Sequence, residues 1–435
     1  MAIPGTLRRG RSRVSPFLRR ITELMRESGT RVGNFRVTAY IFCVGLCGRL
    51  NRKRYHNPIV SIIVADPRSG SSRPSERFLG KEVTVHCEYR STAMIILSVI
   101  LLPWQYAWAA DHALRTQAQA LFKPLPQEMP SPENPITPEK VALGRLLYFE
   151  TRVSVDGTVS CARCHLVSLY GTDALPKAIG AEGRLNPRNA PTVLNAALQF
   201  VAHWRGDRKS VEDQATQALV GPPSFGNPNY ESAMTKLQMI PDYPALFAKA
   251  FPDEKNPVTP DTWGKAIGAY ERTLVTPSPF DAYLAGDEKV LSSASEAGLR
   301  EFVQTGCPTC HNGVGIGGGL FQKFGLLEDY WKATGSPEID KGRFDVTHNA
   351  ADMYVFKVPS LRNVAMTPPY FHDGSVATLP EAVRVMARVQ LGRTLTEAQV
   401  NGIVAFLESL TGKLPASFTD VPELPAASFR PTAGR

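Results

Sequence analysis

Past residue 90 the chain has no cysteine outside two C-x-x-C-H motifs, so no disulfide framework can be built there. Alternating strand patterns are almost missing, and no segment recurs with a period of about 20–50 residues, which excludes solenoids, propellers and collagen-like arrays. No apolar run is long enough to span a bilayer; residues 95–103 (IILSVILLP) fall well short. A basic stripe is missing as well. Residues 1–90 hold 18 Lys/Arg against 6 Asp/Glu, whereas residues 91–435 hold 31 against 34, a net charge of −3. The overall charge of +9 therefore belongs to the first fifth of the chain, and nucleic acid is excluded as an expected partner.

What is present is an ordinary globular composition, 43% hydrophobic and 20% charged, over 435 residues, enough for two or three domains. The short apolar run at 95–103 follows Arg90 and precedes Ala107-Trp108-Ala109, a small-x-small cleavage pattern. Residues 91–110 read as a secretory signal, with a buried helix or membrane anchor as the bland alternative. Residues 1–90 read as a basic extension that is non-native or unstructured, lying upstream of the true translation start; a basic arm touching a membrane surface is the alternative.

From about Asp111 the pattern is helical with Pro-rich joints. Thr137-Pro138-Glu139 opens a helix through Leu146, and Thr259-Pro260-Asp261-Thr262 opens one through Ala266, Ile267, Tyr270 and Leu274. Thr378 with Glu381 caps a helix through Val383 and Met386. Thr396 with Gln399 caps a last one with Val400, Ile403, Leu407 and Leu410 on one face and Gly412 at its end. The joints are long, which suits a fold ordered by a cofactor rather than by its own core alone.

Cys161-Ala-Arg-Cys164-His165 and Cys307-Pro-Thr-Cys310-His311 are c-type haem attachment motifs. Two thiols three residues apart add to the two vinyl groups of one haem, and the adjacent histidine reaches the iron. A zinc site or a redox C-x-x-C would not require histidine directly after each pair. Haem attachment outside the bacterial cytoplasm agrees with a secreted, periplasmic protein. For the second haem, Met353, Met366 and Met386 all follow His311, and Met386 is the choice because it sits in a capped helix. No methionine follows His165 within about 60 residues, so the first iron has His203 or nothing opposite it and reads as the reactive one.

Pro187-Arg-Asn-Ala-Pro-Thr-Val-Leu-Asn195, His203-Trp-Arg-Gly-Asp207, Cys307-Pro-Thr-Cys-His-Asn-Gly313, Lys357-Val-Pro-Ser-Leu-Arg-Asn-Val364 and Pro369-Tyr-Phe-His-Asp-Gly374 resemble the bacterial di-haem cytochrome c peroxidase family, which includes the methylamine-utilisation di-haem enzyme. The resemblance covers residues 120–415 and implies a mainly α fold of two cytochrome c-like domains, each around one covalent haem c. The expected domains are 111–288 with a peroxidatic haem and 289–416 with an electron-transfer haem, followed by a tail at 417–435.

By the same resemblance, Met386 is the axial ligand of the second iron and Trp204 lies between the haems. Asn189, Thr367 and Pro369 hold a calcium ion through side-chain or backbone oxygens. The implied activity is reduction of hydrogen peroxide to water with electrons from a small cytochrome c or cupredoxin, and a homodimer is one assembly it allows. Two departures stand out. Ala181 follows Ile179-Gly180 where many members place a histidine that blocks the first iron. Gln214 is present, but the stretch after it reads Gly221-Pro-Pro-Ser-Phe-Gly-Asn-Pro-Asn229, without the family's acid. Trp204, Gln214 and the nearby Glu231 are then the catalytic candidates. The competing functions are an oxidase of a protein or organic substrate on the same fold and a non-catalytic di-haem electron carrier.

Overall fold

The computed structural model describes residues 113–426. The basic extension at 1–90, the signal-like segment at 91–110 and the end of the tail lie outside the described residues. The described chain is mainly helical. Its helices are α1 (residues 113–121), α2 (Pro138–Phe149), α3 (Cys161–Cys164), α4 (Val211–Ala218), α5 (Tyr230–Gln238), α6 (Asp242–Ala250), α7 (Pro260–Glu271), α8 (Pro279–Ala285), α9 (Ser293–Thr305), α10 (Tyr330–Thr334), α11 (Phe344–Thr347), α12 (Leu379–Leu391), α13 (Glu397–Glu408) and α14 (Ala416–Thr419). The sheet content is one antiparallel pair, β1 (Phe321–Lys323) and β2 (Val355–Lys357), with Phe321 opposite Lys357. Among the described residues no helix is long and apolar enough to cross a membrane.

The helix starts follow the expected chemistry. Thr137, Thr259, Thr378 and Thr396 each accept a hydrogen bond from the third residue of their helix, which satisfies one of the amides the first turn leaves unpaired. Proline sits in the first turn of α2, α7 and α12, where no intrahelical donor is lost. Helix α7 ends at Glu271, short of Leu274. Gly412 does not cap α13, which stops at Ser409; a Cβ at Gly412 would lie 2.0 Å from the Thr276 carbonyl oxygen, so close packing is what this position requires.

Two principal apolar cores result. The first gathers Leu143 and Leu147 of α2, Phe247 of α6, and Trp263, Ala266 and Ile267 of α7. The second gathers Leu299 and Phe302 of α9, Val385 of α12, and Ile403, Phe406 and Leu407 of α13. Each fully buried large side chain stabilises the fold by about 1.5–3 kcal/mol. Both cores rest on one helix crossing made close by glycine. A Cβ on Gly144 of α2 would stand 1.9 Å from the Ala266 carbonyl of α7, and a Cβ on Gly298 of α9 would stand 1.8 Å from the Gly402 carbonyl of α13. The two ends of the described segment cross over. Leu114, Ala118 and Phe122 pack in the second core, while Phe418 of α14 packs on Tyr148 and Tyr270 beside the first.

Candidate functional site

The first attachment motif forms the single turn α3, closed by a bond from the His165 amide to the Cys161 carbonyl at 3.0 Å. The chain then reverses, with the Leu166 amide bonded to the Thr172 carbonyl at 3.0 Å. That reversal brings the Gly171 carbonyl 3.0 Å from His165 Nδ1. A carbonyl only accepts, so Nδ1 carries the proton and Nε2 keeps its lone pair, as an iron ligand requires. Burial lowers the His165 pKa to about 4 despite this bond, so the ring is neutral at pH 7. Tyr148 of α2, fully buried, donates to the His165 carbonyl at 2.8 Å and anchors the motif to the first core.

The second motif begins directly after α9 and its capping residue Gly306, and closes with the His311 amide on the Cys307 carbonyl at 3.0 Å. His311 is buried, and desolvation lowers its pKa to about 4 as well. Its Nδ1 lies against the Ile316 and Pro359 backbone without a hydrogen bond of good geometry. Beside it is a largely apolar cavity of about 310 Å³, lined by Cys307, Cys310, His311, Met386, Leu379 and Tyr370 among others. Of the three methionine candidates, Met386 lines this cavity; Met366 is exposed and Met353 is half-buried elsewhere.

The donor set fits haem c at both motifs: paired thiols in reach of one ring and a neutral imidazole beside them, with an apolar cavity at the second. Burial pushes the Cys164 thiol up to about 11 and the Cys307 thiol up to about 12.

The other expected residues fall into two groups. Asn189, Thr367, Pro369, His203 and Trp204 line the same cavity as His311. Trp204 donates from Nε1 to the Asn189 carbonyl at 3.0 Å, and Asn189 Nδ2 donates to the Leu175 carbonyl at 2.9 Å, which leaves Asn189 Oδ1 as an acceptor. His203 Nδ1 is 3.4 Å from Asp207 Oδ1. Burial opposes the charge on Asp207, but His203, Arg205 and Arg208 outweigh it and hold the carboxyl well below the usual carboxylate range. Gln214 is half-buried on α4. Glu231, by contrast, is exposed in the first turn of α5 and does not line the cavity.

Ala181 is a fully buried methyl in the first core, with its amide bonded to the Ser224 carbonyl at 2.9 Å. The stretch at 221–229 is a closed loop, in which Asn227 Nδ2 donates to Val153 and Leu219 carbonyls at 3.0 Å each. Sequence reasoning passed over Lys357. It is buried on β2, lines the cavity, and donates from its backbone amide to the Trp204 carbonyl at 2.8 Å. The only signal for it was its place at the head of the Lys357–Val364 motif.

The sequence profile of the family described as di-haem cytochrome c peroxidase matches residues 138–289. Cytochrome c551 peroxidase of Pseudomonas aeruginosa is 41% identical over 341 residues, covering 78% of this chain and 97% of the relative. Methylamine utilization protein MauG of Methylorubrum extorquens is 34% identical over 313 residues, covering 69% and 86%. A solved MauG-like protein associated with microbial copper homeostasis shares 30% identity with a TM-score of 0.61, over 68% of this chain and 97% of that one. An enzyme of the haem oxidoreductase class, the chain belongs to the di-haem cytochrome c peroxidase family.

Proposed function

We propose that the protein is a periplasmic peroxidase that converts hydrogen peroxide, two protons and two electrons into two waters, the electrons coming from a small cytochrome c or cupredoxin. Cys161, Cys164 and His165 would hold one haem c, and Cys307, Cys310, His311 and Met386 the other. When bound, the two haems supply peroxide reduction at the first and electron uptake at the second. In this reading residues 111–288 and 289–416 are two cytochrome c-like domains, and the pairs α2–α7 and α9–α13 support it by framing each motif alike.

The observation that carries the reading is the contrast between the two iron faces. Met386 lines the cavity beside His311, whereas the position that could block the first iron is Ala181, a methyl with no ligand atom, packed in the core. On this reading Ala181 would supply no blocking ligand and a small oxidant would reach the first iron in the oxidised protein, with His203 as the residue that would close it instead. Trp204 bridges the halves, its indole on Asn189 and its carbonyl on Lys357. On this reading Asn189, Thr367 and Pro369, which line the same cavity, would hold calcium through side-chain or backbone oxygens.

A second reading, oxidation of a protein or organic substrate, is favoured by one observation. The 221–229 loop offers no acid for splitting the O–O bond, and Glu231 points to solvent. Mixing fully ferric protein with peroxide, before any reductant, tests the main reading. We expect an immediate change in the haem spectrum, followed by turnover when a reduced donor is added. No change until one electron has been supplied overturns the open site, and an immediate change without donor-dependent turnover favours the second reading.

A further inference from the structure

The molecule pairs its buried guanidinium groups with carboxylates. Arg362 meets Asp281 at 2.9 Å, and Arg272 meets Glu212 at 2.7 Å. Lys357 is treated differently. Its side chain is as deeply buried, yet among the described residues no carboxylate pairs with it, and its ammonium donates to one neutral acceptor, Gln199 Oε1. Gln199 is itself wedged against Gly318, where a Cβ would lie 2.6 Å from Gln199 Cγ. An ammonium has three donors, and leaving a buried one without a counter-charge costs several kcal/mol. Burial lowers the Lys357 pKa to about 8, so the charge persists at pH 7.

The position is set by the backbone. Pairing with Phe321 across the β1–β2 ladder and the amide bond to the Trp204 carbonyl fix β2 so that Lys357 lines the cavity shared by His311 and Met386. A haem carries two propionate carboxylates, the chemistry this cation lacks. We infer that Lys357 is a positioning residue that binds a carboxylate in this cavity, a propionate of the second haem, and raises that haem's potential. The inference rests on the haem-binding reading above. A fixed positive charge destabilises the ferric form, which carries the additional positive charge, relative to the ferrous form, and does so strongly because the site is shielded from water.

Spectropotentiometry of the purified two-haem protein tests it. Lys357→Gln should shift the ferric-to-ferrous ratio of the second haem about tenfold or more toward ferric at a fixed poise, as expected for one charge about 10 Å away in a protein medium. The first haem should move less, and Lys357→Arg should restore most of the shift. Unchanged potentials in Lys357→Gln with both haems present by mass would overturn the inference and leave the peroxidase reading intact; absence of the second haem from the wild type would instead strike at that reading. A wild-type potential that depends on chloride, with the dependence lost in Lys357→Gln, would assign the charge to a solution anion and also overturn it. Should the variants fail to fold, a crystal structure of the wild-type holoprotein decides: a propionate oxygen within about 3.2 Å of Nζ supports the inference, and a clearly longer separation overturns it.

Discussion

The two halves of the molecule use one frame and finish it differently. In each, a helix precedes a C-x-x-C-H motif, directly in the second half and after a loop at 150–160 in the first, and a later helix crosses that helix at a glycine, Gly144 against Ala266 and Gly298 against Gly402. The difference lies in the histidines. His165 is tied through Nδ1 to the Gly171 carbonyl at 3.0 Å, whereas buried His311 has its Nδ1 against the Ile316 and Pro359 backbone without a bond of good geometry. A carbonyl partner makes an imidazole a stronger electron donor to iron and favours the ferric state, and its lack does the reverse. On the proposed reading, the tied His165 would favour the ferric state of its iron more than His311 would at the second site. On the same reading Met386, a thioether, would favour the ferrous state of the second iron.

The sharpest way to break the comparison is at the crossings. Gly144→Ala and Gly298→Ala each place a methyl inside a backbone carbonyl, and each should cost about 3 kcal/mol or more. Thermal unfolding should show both falling together. A variant that melts like the wild type would mean that its crossing is not what holds that core.

Next in size is the iron face. Met386→His should lower the potential of one haem and leave the other near its original value, because the His165 side contains no part of α12. Redox titration with both haems resolved checks this. An unchanged pair would transfer the ligand role away from Met386.

The smallest effect separates the halves by pH. Glu271, fully buried at the end of α7, has its pKa raised to about 8, by burial first and then by repulsion from Glu212, with Arg272 opposing. Above an ordinary pKa of about 4.5 the unfolded chain releases this proton while the folded chain keeps it to about 8, so stability falls as pH rises through that window. Glu271→Gln should flatten the fall and gain about 1–2 kcal/mol near pH 8, with little change near pH 4. Chemical denaturation at the two pH values measures it; an equal effect at both would mean that Glu271 does not titrate in the fold.

Much of this was legible in the chain. The threonine caps at 137, 259, 378 and 396 and both haem motifs are local signals, written within five residues each. The capped helix carrying Met386 was legible too, and the structure puts that residue on the cavity beside His311. What was not legible depends on long-range contact. The strands β1 and β2 are three residues each, too short for alternation to register, yet their pairing is what turns Lys357 inward. Gly412 looks like a helix stop and is instead a contact with Thr276. Glu231 is close in sequence to the loop where an acid was sought, but the Asn229 cap turns it out to solvent.

The crossed chain ends have a consequence for how such a protein can be taken apart. Residues 113–122 wall the second core, where the Gly313 amide bonds to the Leu121 carbonyl at 2.9 Å. Residues 416–420 seal the first, with Tyr270 donating to the Ser417 carbonyl at 3.0 Å and Arg145 to that of Asp420. Severing the polypeptide between α8 and α9 would hand each fragment a piece of the other's interior and strip it of its own. The two halves of the described chain cannot be parted at that point with their interiors intact unless these end segments are first exchanged.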